Sequence, residues 1–241
     1  MQFPVETISN SWNRLSSLSD SLQLALADRA DPRLALRALE QFGNGDLVKA
    51  LRWLTDDEGE LEVLARRSYF HGNGFYKIPL LVGKSFVFRL HVWEAGVYAE
   101  ENLHSHRWPF ASFVAAGSLV SEYWEDSFST DSRAYPELIY RGKNESLDSV
   151  GECKVQRRES VTHVAGESYW MNADNLHRIV GHGHGTSVTL MAHPIETRSW
   201  SRNIVLDGRI PDAVPSYLTS QELRRVLALV IDALHPASAD A

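Results

Sequence analysis

From about Phe75 to His193 the chain reads as short runs of aromatic and β-branched residues, each closed by a glycine or another turn former. Candidate strands are Tyr76–Leu81, Ser85–Trp93, Leu103–Arg107, Phe110–Ala116, Ser118–Trp124 and Glu137–Arg141. Lys154–Arg158, Val161–Val164, Ser168–Asn172, His177–Val180 and Ser187–His193 continue the series. Gly83, Gly96, Gly117, Gly142, Gly166 and the Gly181–Gly185 stretch punctuate it. Many short strands with regular turn signals close into a sandwich or a barrel, because neither an isolated hairpin nor a long open sheet buries its apolar face. The fold class expected is therefore mainly β.

The ends of the chain read differently. Leu15, Leu18, Leu22, Leu24 and Leu26, then Leu34, Leu36 and Leu39, then Leu47, Leu51 and Leu54 recur at spacings near three and four, the period of an amphipathic helix. Asp31-Pro32 and Gly43-Asn44-Gly45 divide this segment into short helices. Their apolar stripes need a partner, and the strands that follow supply one. At the other end, Thr219 and Glu222 form a capping box ahead of the apolar run Leu223–Leu234. The organisation expected is one globular domain: a helical cap over 1–70, a β-barrel over 71–212 and a C-terminal helix and tail over 213–241. The last residues, Ser238–Ala241, read as frayed.

Bulk properties narrow the partners. Hydrophobic residues make up 44% of the 241 and charged residues 23%, as in an ordinary globular chain. A formal charge of −7 disfavours nucleic acid and anionic membrane as partners, since both attract basic surfaces. No apolar run is long enough to span a bilayer, and Met1–Glu6 has no secretory pattern. The single cysteine, Cys153, excludes an intrachain disulfide. A cytoplasmic location is the expectation.

His104-Ser105-His106 is the first chemical signal. Residues two apart on a strand point the same way, so both imidazoles reach one face. The pair lies in Gly96-x7-His104-x-His106-x10-Gly117, and Gly166-x5-Asn172-x-Asp174-x2-His177 follows later. These two segments resemble the paired motifs of the cupin superfamily, GX5HXHX3-4EX6G and GX5PXGX2HX3N. The first carries two extra residues before its histidines. The second keeps the spacing to its histidine, with Asn172, Asp174 and Gly181 in place of proline, glycine and asparagine. The resemblance covers about residues 75 to 200 and implies a double-stranded β-helix, or jelly-roll barrel, holding one divalent metal on His104, His106 and His177. The usual fourth ligand, a glutamate, would fall at Phe110 or Ala111, where no carboxylate stands; Glu100 or Glu101 is the alternative acid nearby.

Among cupins, a site of three histidines is similar to that of cysteine dioxygenase and related thiol dioxygenases. Asn172-Ala-Asp-Asn-Leu-His177-Arg-Ile-Val resembles their IND-x-x-x-HRV segment, and Val92-Trp93-Glu94-Ala95-Gly96 their CWGEG approach to the first motif. The serine-histidine-tyrosine relay of that branch is not reproduced: Thr189, Met191 and His193 are the nearest positions. Its substrate arginine is also absent, with Lys77 the nearest cation. The resemblance implies an Fe(II)-dependent dioxygenase acting on a small polar or anionic metabolite with O2 as co-substrate. The alternatives are a Zn, Mn or Ni cupin acting as isomerase or hydrolase, and a cupin that only binds a metabolite. His193, His91 and His163 are candidate proton donors or orienting groups. Lys77, Arg89, Trp93 and Phe110 are candidate substrate contacts. If the chain self-associates, a homodimer is the form expected.

Two readings of the strand Ser85–Trp93 remain open. Arg89, His91 and Trp93 share one face, and Phe88, Leu90 and Val92 the other. The polar face meets either solvent or the metal cavity. His182 and His184 sit in a glycine turn that is costly to order around an ion. His71 and His235 read as surface residues.

Overall fold

The structure, a computed structural model, describes residues 5–27, 31–98, 101–141, 146–195, 197–208 and 215–235. Helix α1 spans Val5–Ala25, α2 Pro32–Asp56 and α3 Glu58–Ala65. Thirteen strands follow: β1 Tyr69–His71, β2 Phe75–Val82, β3 Phe86–Trp93, β4 Leu103–His104, β5 Phe110–Ala116, β6 Ser118–Asp126 and β7 Ala134–Arg141, then β8 Ser146–Val164, β9 Ser168–Met171, β10 Leu176–His182, β11 Ser187–Pro194, β12 Trp200–Ile204 and β13 Ser216–Tyr217. Helix α4, Ser220–Leu234, closes the described chain. The terminal tail and Glu100 lie outside the described residues.

The helices start and break where their residues dictate. Asp31 accepts from the Arg33 amide at the start of α2, with Pro32 in the first helical turn, where its missing N–H costs nothing. Inside α2 the backbone leaves helical geometry at Gly43 (φ 58°, ψ 174°), a left-handed φ that favours glycine. The Gly43-Asn44-Gly45 punctuation is thus a kink within one element. The Thr219–Glu222 capping box forms as read from the sequence.

The strands make two antiparallel sheets. The first runs β13-β1-β2-β3-β11-β5-β9, and the second, β10-β4-β12-β7-β8-β6, closes on itself because β10 also pairs with β6. This is the mainly β barrel with an N-terminal helical cap and a C-terminal helix that the sequence indicates. Lys154–Arg158 and Val161–Val164 are parts of one long strand, β8. Leu103–Arg107 is a strand only over Leu103–His104. Strands β1, β12 and β13 are additional to the sequence reading; two of them extend the first sheet and one joins the second.

The first sheet is covered on one face by the helices. Phe86, Phe88, Leu90 and Val92 of β3 join Leu22, Leu39, Leu47, Leu51, Val226 and Leu227 in one buried cluster. Alternation then turns Arg89, His91 and Trp93 inward, toward the second sheet. Gly117 joins β5 to β6 at φ 71°, and a Cβ there would meet the Ser187 backbone Cα at 2.8 Å. No helix among the described residues is long and apolar enough to cross a membrane.

Leu51 is fully buried between helix and sheet, whereas Leu34 on the same helix is 60% exposed. Leu51→Ala should lower the unfolding free energy by about 2–5 kcal/mol and Leu34→Ala by about 0.5 kcal/mol or less. Urea denaturation followed by circular dichroism measures both; equal costs would show that the cap does not dock on the sheet as described.

Candidate metal centre

The site is assembled from three short pieces of the second sheet. Strand β10 pairs with β4 so that His177 stands directly opposite His104, and β6 on its other side sets Tyr123 beside His177. The chain leaves β4 just after His104, yet His106 still turns to the same point, because its amide donates to Ala173 O at 2.9 Å. One ring nitrogen from each of His104, His106 and His177 lies within 4.8 Å of the others. The ring centroids are 4.7–5.0 Å apart.

Hydrogen bonding orients the rings. His104 Nδ1 is 2.9 Å from Asn102 O, so that nitrogen carries the proton and Nε2 keeps its lone pair. The Nε2 atoms of His106 and His177 are 2.7 Å apart, which requires one to donate and the other to accept. Burial holds all three rings neutral: His104 is lowered to about 4, and His106 and His177 well below the ordinary histidine value. Three convergent neutral nitrogens, with no carboxylate in the cluster among the described residues, suit a divalent first-row metal; ligands about 2.0–2.1 Å from one centre need only small ring rotations, which part the Nε2 atoms of His106 and His177.

A part of the site not visible in the sequence reading is Arg198, between β11 and β12. It donates to His106 O (2.6 and 2.9 Å), to Ala173 O (2.8 Å) and to Ser105 Oγ (3.1 Å), pairs with Asp174, and lies 4.2 Å from the Trp200 ring. One guanidinium therefore ties the segment carrying His104 and His106 to the segment just before His177. No local motif surrounds it; its role comes from the fold alone.

The histidines form part of the wall of a cavity of about 300 Å³ between the sheets. Lys77, Arg89, Trp93 and Phe110 all line it. Phe110 faces the histidines, with its ring 4.8 Å from that of His106, while Ala111 points the other way into the core under the helices. Glu101 also lines the cavity but stands outside the cluster; Oε2 accepts from the Ile179 amide at 2.9 Å, and burial raises its carboxyl to about 7. Lys77 is lowered to about 7 by burial, helped by Arg89.

His91, His163 and His193 do not line the cavity. His193 stacks on Trp108, a wall residue, at 4.2 Å and 12°, with Nδ1 on Pro194 O. His91 lies against Phe75 and Trp93. His163 accepts or donates at Tyr123 Oη, 3.0 Å away, and stacks on Tyr169. All three form a layer behind the wall. His71, read as a surface residue, instead lines the cavity and stacks on Phe75 at 5.0 Å. The reading failed because β1 is too short to show a period. His182 Nε2 is engaged by Val97 O in its turn, away from the cluster.

No family model and no curated protein matches the chain. Among solved structures it is similar to hydroquinone 1,2-dioxygenase from Sphingomonas sp. with 4-hydroxybenzoate bound (9% identity, TM-score 0.33, 50% of this chain and 66% of that chain). It is also similar to an RmlC-like cupin from Shewanella frigidimarina (14%, 0.31, 53% and 81%) and to KdgF from Halomonas sp. (12%, 0.33, 51% and 82%). The fold itself is a closed antiparallel barrel beside a second sheet, under a helical cap, with three histidines converging on the wall of its cavity.

Proposed function

We propose that this chain is a metal-dependent oxygenase, an Fe(II) dioxygenase that binds a small anionic metabolite beside a three-histidine metal centre. One observation carries the reading. Among the described residues, His104, His106 and His177 converge without a carboxylate on a cavity whose wall also holds Lys77 and Arg89. Three neutral ligands leave a divalent ion's charge uncompensated, and two further cations deepen the preference for an anion in a low-dielectric space.

His104, His106 and His177 would hold the ion. A bound Fe(II) would supply the redox change that dioxygen chemistry needs, together with open coordination positions. The chain's own residues do the rest. Lys77 and Arg89 attract the substrate anion, and Trp93 and Phe110 shape its seat, so that substrate and dioxygen meet in a fixed geometry. Phe110 occupies the place from which a glutamate would complete the sphere and keeps it apolar. Lys77 and Glu101, both near 7, can take or return a proton inside the cavity at neutral pH. His91, His163 and His193 act as positioning residues through Trp93, Tyr169 and Trp108. The rival reading is a Lewis-acid cupin using zinc, manganese or nickel.

Two measurements test this. The intact protein should bind close to one equivalent of Fe(II), and alanine at His104, His106 or His177 should abolish it. Arg198→Ala should weaken metal about 10–100-fold by loosening both ligand segments, with partial recovery in Arg198→Lys. Isothermal titration set beside the melting temperature of the metal-free variants separates lost positioning from lost folding. Undiminished metal binding in the His177 variant would sink the centre.

The second measurement is redox. Oxygen uptake against a panel of small carboxylates and thiols should require Fe(II) and vanish when Zn(II) is loaded, because zinc has no accessible redox change. Turnover with zinc under nitrogen would give the case to the Lewis-acid reading.

A further inference from the structure

Arg89 is a buried cation on the cavity wall. It is 8% exposed, and among the described residues no carboxylate pairs with it. Its Nη2 donates to Met191 Sδ at 3.1 Å, a weak acceptor, and its guanidinium carbon lies 5.5 Å from the Trp108 ring centroid. Its Nε is buried with no partner at all. Lys77, on the neighbouring strand, brings a second ammonium into the same space, 5.3 Å from the Phe75 ring centroid and likewise without a carboxylate at ion-pair distance. The wall's acid, Glu101, already accepts from the Ile179 amide. A buried cation without a counter-charge is strongly unfavourable, and folds tolerate one where a ligand supplies the missing charge.

Among the described cavity-lining residues, four buried polar atoms lack a partner: His177 Nδ1 and three N–H donors. Arg89 Nε, Trp93 Nε1 and Trp108 Nε1 are all buried N–H donors lacking acceptors, and all three residues line the cavity. Buried polar groups are almost always satisfied, so donors on the residues of this wall favour an occupant that brings acceptor oxygens and to which the side chains adjust. Beside polar side chains such as Asn73, Ser201 and Asn203, the wall offers the flat faces of Tyr69, Phe75, Trp93, Trp108, Phe110 and Tyr169. At about 300 Å³ the cavity stands at the small end of ligand sites, room for one ring and its substituents. A polyhydroxylated or aliphatic amine metabolite would bring further donors and leave the aromatic faces unused. A ring bearing a carboxylate brings two acceptor oxygens and a π-face.

We propose that the cavity is built for a small one-ring aromatic carboxylate, its carboxylate on Arg89 beside Trp108 and its ring among the aromatic walls. The far end of the ring points to the histidines. Met191 contacts Arg89 and packs with Phe110, whose ring touches His106, so one layer of side chains separates the anion seat from the metal centre. Only this orientation rests on the metal reading; the Arg89 seat stands without it.

The test uses the full chain stripped of metal, with benzoate as probe and quenching of tryptophan fluorescence as readout. Benzoate should bind at least tenfold more tightly than cyclohexanecarboxylate, which has the charge but no flat ring, and than benzyl alcohol, which has the ring but no charge. Arg89→Met should weaken benzoate at least tenfold and still take up one equivalent of metal. Its metal-free melting temperature should equal or exceed the parent's, since an uncompensated buried charge is gone. Arg89→Lys, which keeps the charge but loses the fork, should bind several-fold more weakly than the parent, and decides the matter if the methionine variant fails to fold. Benzoate affinity unchanged in either variant, or matched by cyclohexanecarboxylate, would overturn the proposal. Metal uptake without benzoate binding would remove the aromatic acid and leave the metal centre. Benzoate binding without metal uptake would do the reverse.

Discussion

The pairing of β10 with β4 is the constraint on which the site depends. It sets His177 opposite His104 across two chain segments that are distant in sequence. A slip of one residue would turn the imidazole of His177 to the other face of its strand. Such short elements cannot hold a register by backbone bonds alone: β4 has two residues. The register is pinned from outside, by the His106 amide on Ala173 and by Arg198, which spans Ser105, His106, Ala173 and Asp174. Arg202 adds to this through its amide on Ser105 Oγ at 2.9 Å. Metal ligands on strand ends and loops thereby acquire the rigidity that strand interiors have without help.

The helical cap serves the same end from the other side. A sheet that lines a polar cavity on one face must bury its second face elsewhere, and here α1, α2 and α4 provide that cover. Because Phe88, Leu90 and Val92 are committed to the cap, Arg89, His91 and Trp93 have nowhere to go but inward. A charged residue can then be held inside the barrel by the burial of its neighbours in sequence, with only weak contacts of its own.

What could be read from the sequence followed what is periodic. Strands of seven or eight residues, the leucine spacing of the cap and the Thr219–Glu222 box carry local signals strong enough to survive folding. The histidines were legible because two share a strand-period spacing and because the segments that carry all three resemble a known pair of motifs. Alternation in β3 showed two faces but could not say which one met solvent; only the helices packed on Phe88 and Leu90 decide that. Elements without a period stayed hidden. Strands β1 and β13 have three and two residues and exist because they add to the edge of the sheet through Tyr69 and Tyr217. His71 was misjudged for that reason, and Arg198 and Trp108 were missed because their partners are far away in the chain.

The charges of the cavity make sense as one system. Phe110 brings no charge to the three-histidine cluster, and the cavity wall adds Lys77 and Arg89 as well as Glu101. Burial responds as far as titration allows: Lys77 falls to about 7 and Glu101 rises to about 7, so each is near the point where it can be neutral. Arg89 cannot follow; even lowered to about 10 it stays cationic at neutral pH. The fold therefore keeps one permanent charge in a space where it has no partner, beside indole donors that also have none. Side-chain packing alone gives no reason to retain it, since a methionine would fill the volume at lower cost. An anion seated on the guanidinium relieves a penalty already present in the free protein. Binding is favoured by what the empty cavity lacks as much as by what the ligand brings.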